Sequence, residues 1–416
     1  MKRILNKCAF NVVSVLFAGI LLISLYSCNN EVERNTLKRN ILFYIATDES
    51  NIDIDTPAKI NQIRAGWKPG SGEMLIYVDR RSDGAYLLRV NTKLGNDGYG
   101  LDTLERYGVE NSADSEVLSR VINIMTRDYP ADSYGMIFFS HGSGWLPEGT
   151  LASPRSLVID NGGGTKREME YTDFASAIPD GQFDFIILEA CLMADVMSIY
   201  ELRNKAEYIL ASSAEIVAPG FGGSRGMTTE IYKNEIMRLY DKNSSIKTIV
   251  SGFGQSYYNR IASIPENNEY CSATLSLIKT DEMENLASVV KSVLQGVDFD
   301  ETNLIVNSIQ SFDRSNTGTF GWQNRSRYFD LGHTVENLVS DSQYNIFKNQ
   351  LEKTIVWKAS TKRFLLGDNN NGTPDYNTYR GFFINYHSGL TTYIKQDAYP
   401  VLNSAYESSS WYKAIH

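Results

Sequence analysis

Two residues in this chain have types and settings suited to nucleophilic chemistry. His141 ends the apolar run YGMIFFSH (134–141) and is followed at once by Gly142, Ser143, Gly144 and Trp145; the whole sequence has only four histidines. Cys191 ends a second apolar run, FDFIILEAC (183–191), fifty residues further on. A thiol reacts as its thiolate, and a neighbouring imidazole both favours that form and carries the proton. Glycine after the histidine lets a backbone N–H approach a carbonyl closely, so the amides of Gly142 and Cys191 could form an oxyanion hole. A lone cysteine is more often an inert buried thiol. The case for catalysis rests on the pair, each member at the end of an apolar strand where the pattern breaks.

The elements that must position this pair can be read from the apolar periodicity. NILFYIATDE, GEMLIYVDRR (72–81), YGMIFFSH, FDFIILEAC and EYILASSAE (207–215) read as strands, and GAYLLRVNT (84–92) as a hairpin partner after Asp83-Gly84. Helices are expected over 112–130, capped by Ser112 or Asp114 and stopped by Pro130, and over 171–179 and 193–206. Strands alternating with helices predict βαβ units, a mainly parallel sheet and helices on both faces. Sites in such sheets form at the carboxyl ends of strands, where His141 and Cys191 both lie. Past residue 265 a strand and helix (271–294), a helical and loop-rich stretch to about 365 and late strands within 379–396 are expected.

The N-terminus reads as a targeting segment. Lys2, Arg3 and Lys7 precede an apolar stretch from about Val12 to Leu25. Leu25-Tyr26-Ser27-Cys28 resembles the bacterial lipobox, which implies cleavage before Cys28, lipidation of that residue and export to the cell envelope, with the outer membrane as the expected anchor. A single spanning anchor is the alternative, for which the stretch is short. The net charge is −9, and −12 once residues 1–27 and their three cations are gone; with no basic cluster, nucleic acid is excluded as a partner. Of the four cysteines, Cys8 leaves with the signal, and Cys191 and Cys271 are too few for a disulfide framework, though they could pair. The expected organisation is a signal peptide over 1–27, a tether over 28–39, a catalytic domain over 40–264 and a C-terminal region over 265–416.

SHGSGW with DFIILEACLM resembles the clostripain family of cysteine endopeptidases, and ILFYIATDE, EMEYTDFASAIP, ASSAEIVAPGFG and HSGLTTYI are similar to further stretches of it. The resemblance spans roughly residues 40–400. It implies a caspase-like α/β fold, with a C-terminal α+β region packed on the sheet, and a peptidase in which Cys191 is the nucleophile and His141 its base. Two positions depart from the family pattern: Ser140 and Glu189 stand where the family usually has aspartate. Strand alternation puts Glu189 on the face of Cys191, where an acid could line the pocket for the residue before the scissile bond. In the family that acid accompanies cleavage after Arg or Lys, so protein or peptide substrates with a basic residue there are expected. An internal ion pair is the alternative role for Glu189.

The segment WLPEGTLASPRSLVIDN, rich in Pro, Gly and small residues, reads as an exposed loop. With a basic-preferring pocket and the family's habit of activation in this loop, a zymogen that cuts itself after Arg155 is expected; Lys166 and Arg167 compete less well. No cofactor is required. DNNNGTPD (368–375) offers Asp368, Asn370 and Asp375 as weak calcium ligands, but its glycine is misplaced for an EF-type loop. His333 and His387 read as structural, and PGFGGSRG (219–226) as a substrate-side loop rather than a phosphate loop. Two other functions fit the same residues: a surface-binding lipoprotein with a dead peptidase fold, and a legumain-like peptidase or transpeptidase. Acidic Glu189 argues against a pocket for neutral Asn.

Overall fold

The computed structural model describes residues 38–48, 51–148, 150, 158–160, 167–313, 325–375 and 381–416. Cys28 and Arg155 lie outside them. Residues Arg39–His416 form one compact unit. Its centre is a nine-stranded sheet: β1 (Arg39–Ala46), β2 (Met74–Arg80), β3 (Gly84–Gly95), β4 (Gly98–Gly108), β5 (Ser133–Phe139), β6 (Phe183–Glu189), β7 (Ala206–Ala211), β8 (Thr274–Lys279) and β9 (Ile355–Ser360). The strand order is β9-β8-β7-β6-β5-β1-β2-β3-β4. Strands β7, β6, β5, β1 and β2 run parallel. Antiparallel pairs extend both edges, β8 and β9 on one side and β3 and β4 on the other.

The central strands are continuous apolar runs because both faces are covered. Alternation then divides their side chains between two cores. Leu42, Tyr44, Met136, Phe138, Ile186 and Leu188 join the larger one. Ile41, Phe43, Ile45, Ile137, Phe139, Phe185 and Ile187 join the smaller. Eleven α-helices are found among the described residues. On the smaller core lie α1 (Thr56–Gly66), α5 (Ile231–Glu235) and α6 (Ile246–Ala262). On the larger lie α2 (Ser115–Asp128), α3 (Tyr171–Ala177), α4 (Val196–Glu201), α7 (Met283–Leu294), α8 (Leu331–Glu336), α9 (Asp341–Thr354), α10 (Pro400–Ser408) and α11 (Ser410–Ile415).

The boundaries follow local chemistry. Asp114, one of the two expected caps, accepts from the Glu116 N–H at 2.9 Å and starts α2. The helix expected over 193–206 is shorter: Asp195 caps α4, which tightens into a 3-10 turn at Leu202–Asn204. The late strands expected within 379–396 reduce to two-residue bridges, Phe382–Phe383 and Thr391–Thr392. Conversely β9 forms inside the stretch read as helical and loop-rich. Among the described residues no helix is long and apolar enough to cross a membrane.

Candidate active site

Strands β5 and β6 are neighbours, with Phe139 opposite Glu189 at their carboxyl ends. The chain leaves β5 through Ser140, whose hydroxyl donates to the Ala46 carbonyl at 2.7 Å and ties this exit to the end of β1. Gly142 then passes over the backbone of Cys191. A Cβ on Gly142 would stand 2.5 Å from the Cys191 oxygen and 2.9 Å from its nitrogen, so no larger residue fits without displacement. Gly144 has φ +55°, and its Cβ would meet the Leu192 oxygen at 2.6 Å. Past it, Trp145 is buried against Tyr393, ring centroids 4.8 Å apart, and Tyr328 donates its hydroxyl to the Ser143 carbonyl. The histidine loop is thus clamped between the backbone after β6 and the C-terminal region.

Cys191 is a thiol, partly exposed, two residues beyond the end of β6. Its sulfur accepts from the Ile216 N–H at 3.3 Å, a contact that favours the thiolate. Leu192 follows with φ 62°, a left-handed conformation that costs a residue with a Cβ on the order of 1 kcal/mol or more. The conformation is held by the Leu192 and Ala194 amides, which donate to the Ala214 and Ser212 carbonyls at 2.9 Å each. The kink falls directly after Cys191, which lies at the surface of a pocket.

His141 and Cys191 line that same pocket, which has a volume of 40 Å³; Ile52, Phe139, Ile216, Ala218, Pro219 and Gly220 are among its walls. The structure therefore brings together the two residues singled out in the sequence, with Gly142 beside them. Glu189 reaches the pocket too, but in a different state from the one expected. Since β6 ends at Glu189, strand alternation does not carry on to Cys191. The Glu189 side chain turns toward the smaller core, and Cys191 packs its apolar part against the larger one. The Glu189 carboxylate is 2% exposed and fully engaged. Lys59 Nζ donates to Oε1 at 2.5 Å, the Phe221 N–H donates to Oε1 at 2.6 Å, and the Tyr232 hydroxyl donates to Oε2. This is the internal ion pair, the alternative role for Glu189.

Sequence reasoning missed Lys59. It sits on α1, completely buried, with Nζ also donating to the Pro219 carbonyl at 2.8 Å and lying 4.1 Å from the centre of the Phe139 ring. Burial pushes the Glu189 carboxyl up and the Lys59 ammonium down, and each charge opposes the shift of the other. The second carboxylate on the pocket wall, Asp55, is paired as well, 3.1 Å from the Arg225 guanidinium. No local signal marks Lys59, because a lone lysine in TPAKINQIRAG reads as a solvated helix face.

Other residues flagged in the sequence lie elsewhere. His333 accepts from the Gln310 N–H at 3.0 Å and stacks on Tyr386, and His387 is half-buried, its pKa pushed down to about 3 by desolvation and by the Lys358 charge. Asp368 accepts from Arg363 at 2.6 Å, and among the described residues no group of three or more His, Cys, Asp or Glu could hold a metal ion. Cys271 is a second thiol, this one buried, its pKa raised by that burial.

The sequence model of the clostripain family matches residues 43–415. Among solved structures, an inactive zymogen C11 protease from Parabacteroides distasonis is similar at 27% identity, with a TM-score of 0.72 over 92% of this chain and 99% of that one. A secreted C11 cysteine protease from Bacteroides thetaiotaomicron, in complex with an irreversible peptide inhibitor, is similar at 25% identity, with a TM-score of 0.71 over 91% and 98%. A further secreted C11 cysteine protease from the same organism shares the fold at 18% identity and a TM-score of 0.69, over 91% and 99%. No curated protein matches the chain.

Proposed function

Because the chain belongs to the clostripain family of cysteine peptidases, we propose that it is an endopeptidase working through a dyad of Cys191 and His141. Cys191 Sγ attacks the scissile carbonyl carbon while the His141 imidazole takes the thiol proton. The amides of Gly142 and Cys191 stabilise the oxyanion. His141 then returns the proton to the leaving amine as the C–N bond breaks. Water, with His141 again as base, hydrolyses the thioester to the acid and restores the thiol. The observation that carries this reading is the convergence of His141 and Cys191 on one pocket at the ends of neighbouring strands, with the sulfur accepting a backbone N–H.

Cys191→Ala and His141→Ala should each lower kcat by about 10³-fold or more with melting temperature almost unchanged, and the double variant should be little worse than either single one. Near-normal turnover by either single variant would refute the dyad. Cleavage after Arg or Lys is part of this proposal through the family resemblance, and the Glu189 carboxylate expected to line the pocket is itself paired with Lys59.

Two further features belong to this proposal. One relative is described as an inactive zymogen, and Arg155 is the first basic residue after His141, which supports activation by a cut in that segment. Residues 1–28 support export and lipid anchoring at Cys28. Metabolic labelling with a radioactive fatty acid should mark the wild type and not Cys28→Ala; label retained in the variant would exclude that anchor.

A further inference from the structure

Resting on the peptidase reading, we infer that Tyr328, from the C-terminal region, is a positioning residue for His141, its hydroxyl fixing the loop that carries the imidazole beside Cys191. A general base works only within hydrogen-bond reach of the atom it deprotonates, and a misplacement of about 1 Å can cost about 100-fold in rate. His141 lies beyond the end of β5, in residues 140–145, which belong to no helix or strand. Two side-chain hydrogen bonds bracket it. Ser140, just before the histidine, donates to the Ala46 carbonyl, and Tyr328 donates to the Ser143 carbonyl two residues after it.

The Ser143 carbonyl does not need Tyr328 in order to be satisfied, since the Leu146 N–H already donates to it at 3.3 Å. Loss of the hydroxyl therefore orphans no buried acceptor, and its bond bears on where the loop sits more than on whether the chain folds. The Tyr328 ring stands where the histidine loop meets the turn after Cys191. A Cβ on Gly144 would lie 2.6 Å from the Leu192 oxygen, 2.8 Å from Asp195 Oδ2 and 3.0 Å from Tyr328 Cε1. The backbone behind the ring is itself pinned: the Phe312 N–H donates to the Tyr328 carbonyl at 3.0 Å, and the Arg327 N–H to the Asp313 carboxylate at 2.9 Å. The side chain is fully buried. Burial first, then the charges of Asp195 and Asp313 against that of Arg327, raise its pKa well above the ordinary tyrosine value, so the phenol stays a donor at every pH where a thiol peptidase works. The C-terminal region thereby takes part in aligning imidazole and thiol.

The test is Tyr328→Phe in the full-length chain, with and without a prior nick by trypsin that is then inhibited. On peptides with Arg or Lys before the scissile bond, kcat should fall by about tenfold or more while KM stays within about twofold. Alkylation of Cys191 by iodoacetamide, followed on the Cys191 peptide by mass spectrometry, should show a pH midpoint raised by about half a unit or more, because a displaced imidazole stabilises the thiolate less. Tyr44→Phe is the matched control: its buried hydroxyl donates to the Ser112 carbonyl at 2.8 Å, outside the histidine loop. It should lower the melting temperature by a comparable amount and leave both kcat and the midpoint as they are. Where Tyr328→Phe melts too low to assay, 4-fluorophenylalanine at position 328 keeps the para substituent and removes only the donated hydrogen, and the same two changes are expected. An unchanged kcat, an unmoved alkylation midpoint, or an equal loss of kcat in Tyr44→Phe overturns the inference and leaves the peptidase reading intact. If the wild type cuts no peptide in either state, the peptidase reading falls, and the alkylation midpoint still decides the role of Tyr328: a shift sustains it and no shift removes it.

Discussion

Two carboxyls close the carboxyl edge of the same parallel sheet in opposite electrical settings. Glu189 ends β6 and Asp79 lies near the end of β2, and each is 2% exposed. Glu189 meets a lysine, an amide and a phenol. Asp79 meets another carboxyl, Asp160, whose Oδ2 accepts from the Ser112 hydroxyl at 2.7 Å and from the Ser112 N–H. Burial first, then the hydrogen bond to Asp160 and its charge, push Asp79 up to about 9. Asp79 is therefore protonated at neutral pH, while Glu189 shares its site with a cation. Equal burial does not dictate a common state; the partner does.

The comparison can be broken most forcefully at Lys59. Lys59→Ala leaves Glu189 buried without its counter-ion and should cost about 3–5 kcal/mol of stability at neutral pH, read by urea unfolding. The variant should also turn Glu189 into a second Asp79. A carboxyl whose folded pKa is raised adds stability that is complete below its unfolded value and is lost as pH climbs through the folded value. The loss caused by Lys59→Ala should therefore shrink toward pH 4. A pH-independent loss would mean that missing packing, not unpaired charge, dominates.

A smaller effect is expected at Asp79. By the same sign, wild-type stability should decline between about pH 4, near the unfolded value, and the folded value of about 9. Asp79→Asn keeps the shape and supplies a permanent N–H donor toward Asp160. It should cost within about 1 kcal/mol at pH 7, and flatten the decline in melting temperature toward pH 9. An unchanged slope in Asp79→Asn would place the titrating group elsewhere.

Legibility in the sequence followed burial. The two-sided strands β1, β5, β6 and β7 appear as mainly apolar runs, so their presence and the strand-end positions of His141 and Cys191 could be read directly. β4, largely exposed, carries GYGLDTLERYG and shows no apolar alternation to detect. The turn at Leu192 was hidden for another reason: its left-handed backbone is imposed by hydrogen bonds to residues 212 and 214, and leucine gives no hint of it. Lys59 was hidden by distance, since the residue that explains it lies 130 positions away. A reading based on local pattern reaches His141 and Cys191 but not the buried lysine paired with Glu189 beside them.

The position of β5 and β6 within the sheet has a consequence for how the molecule loses its chemistry. Each has at least three strands on either side in the nine-strand order. Backbone amides in such strands exchange with solvent only through the most costly openings, those close to global unfolding. The edge pairs β3–β4 and β8–β9 can fray while the strands beneath His141 and Cys191 remain closed. On heating, catalytic competence and cooperative structure should therefore vanish in one transition, with no populated species that keeps the sheet yet has lost the alignment of thiol and imidazole.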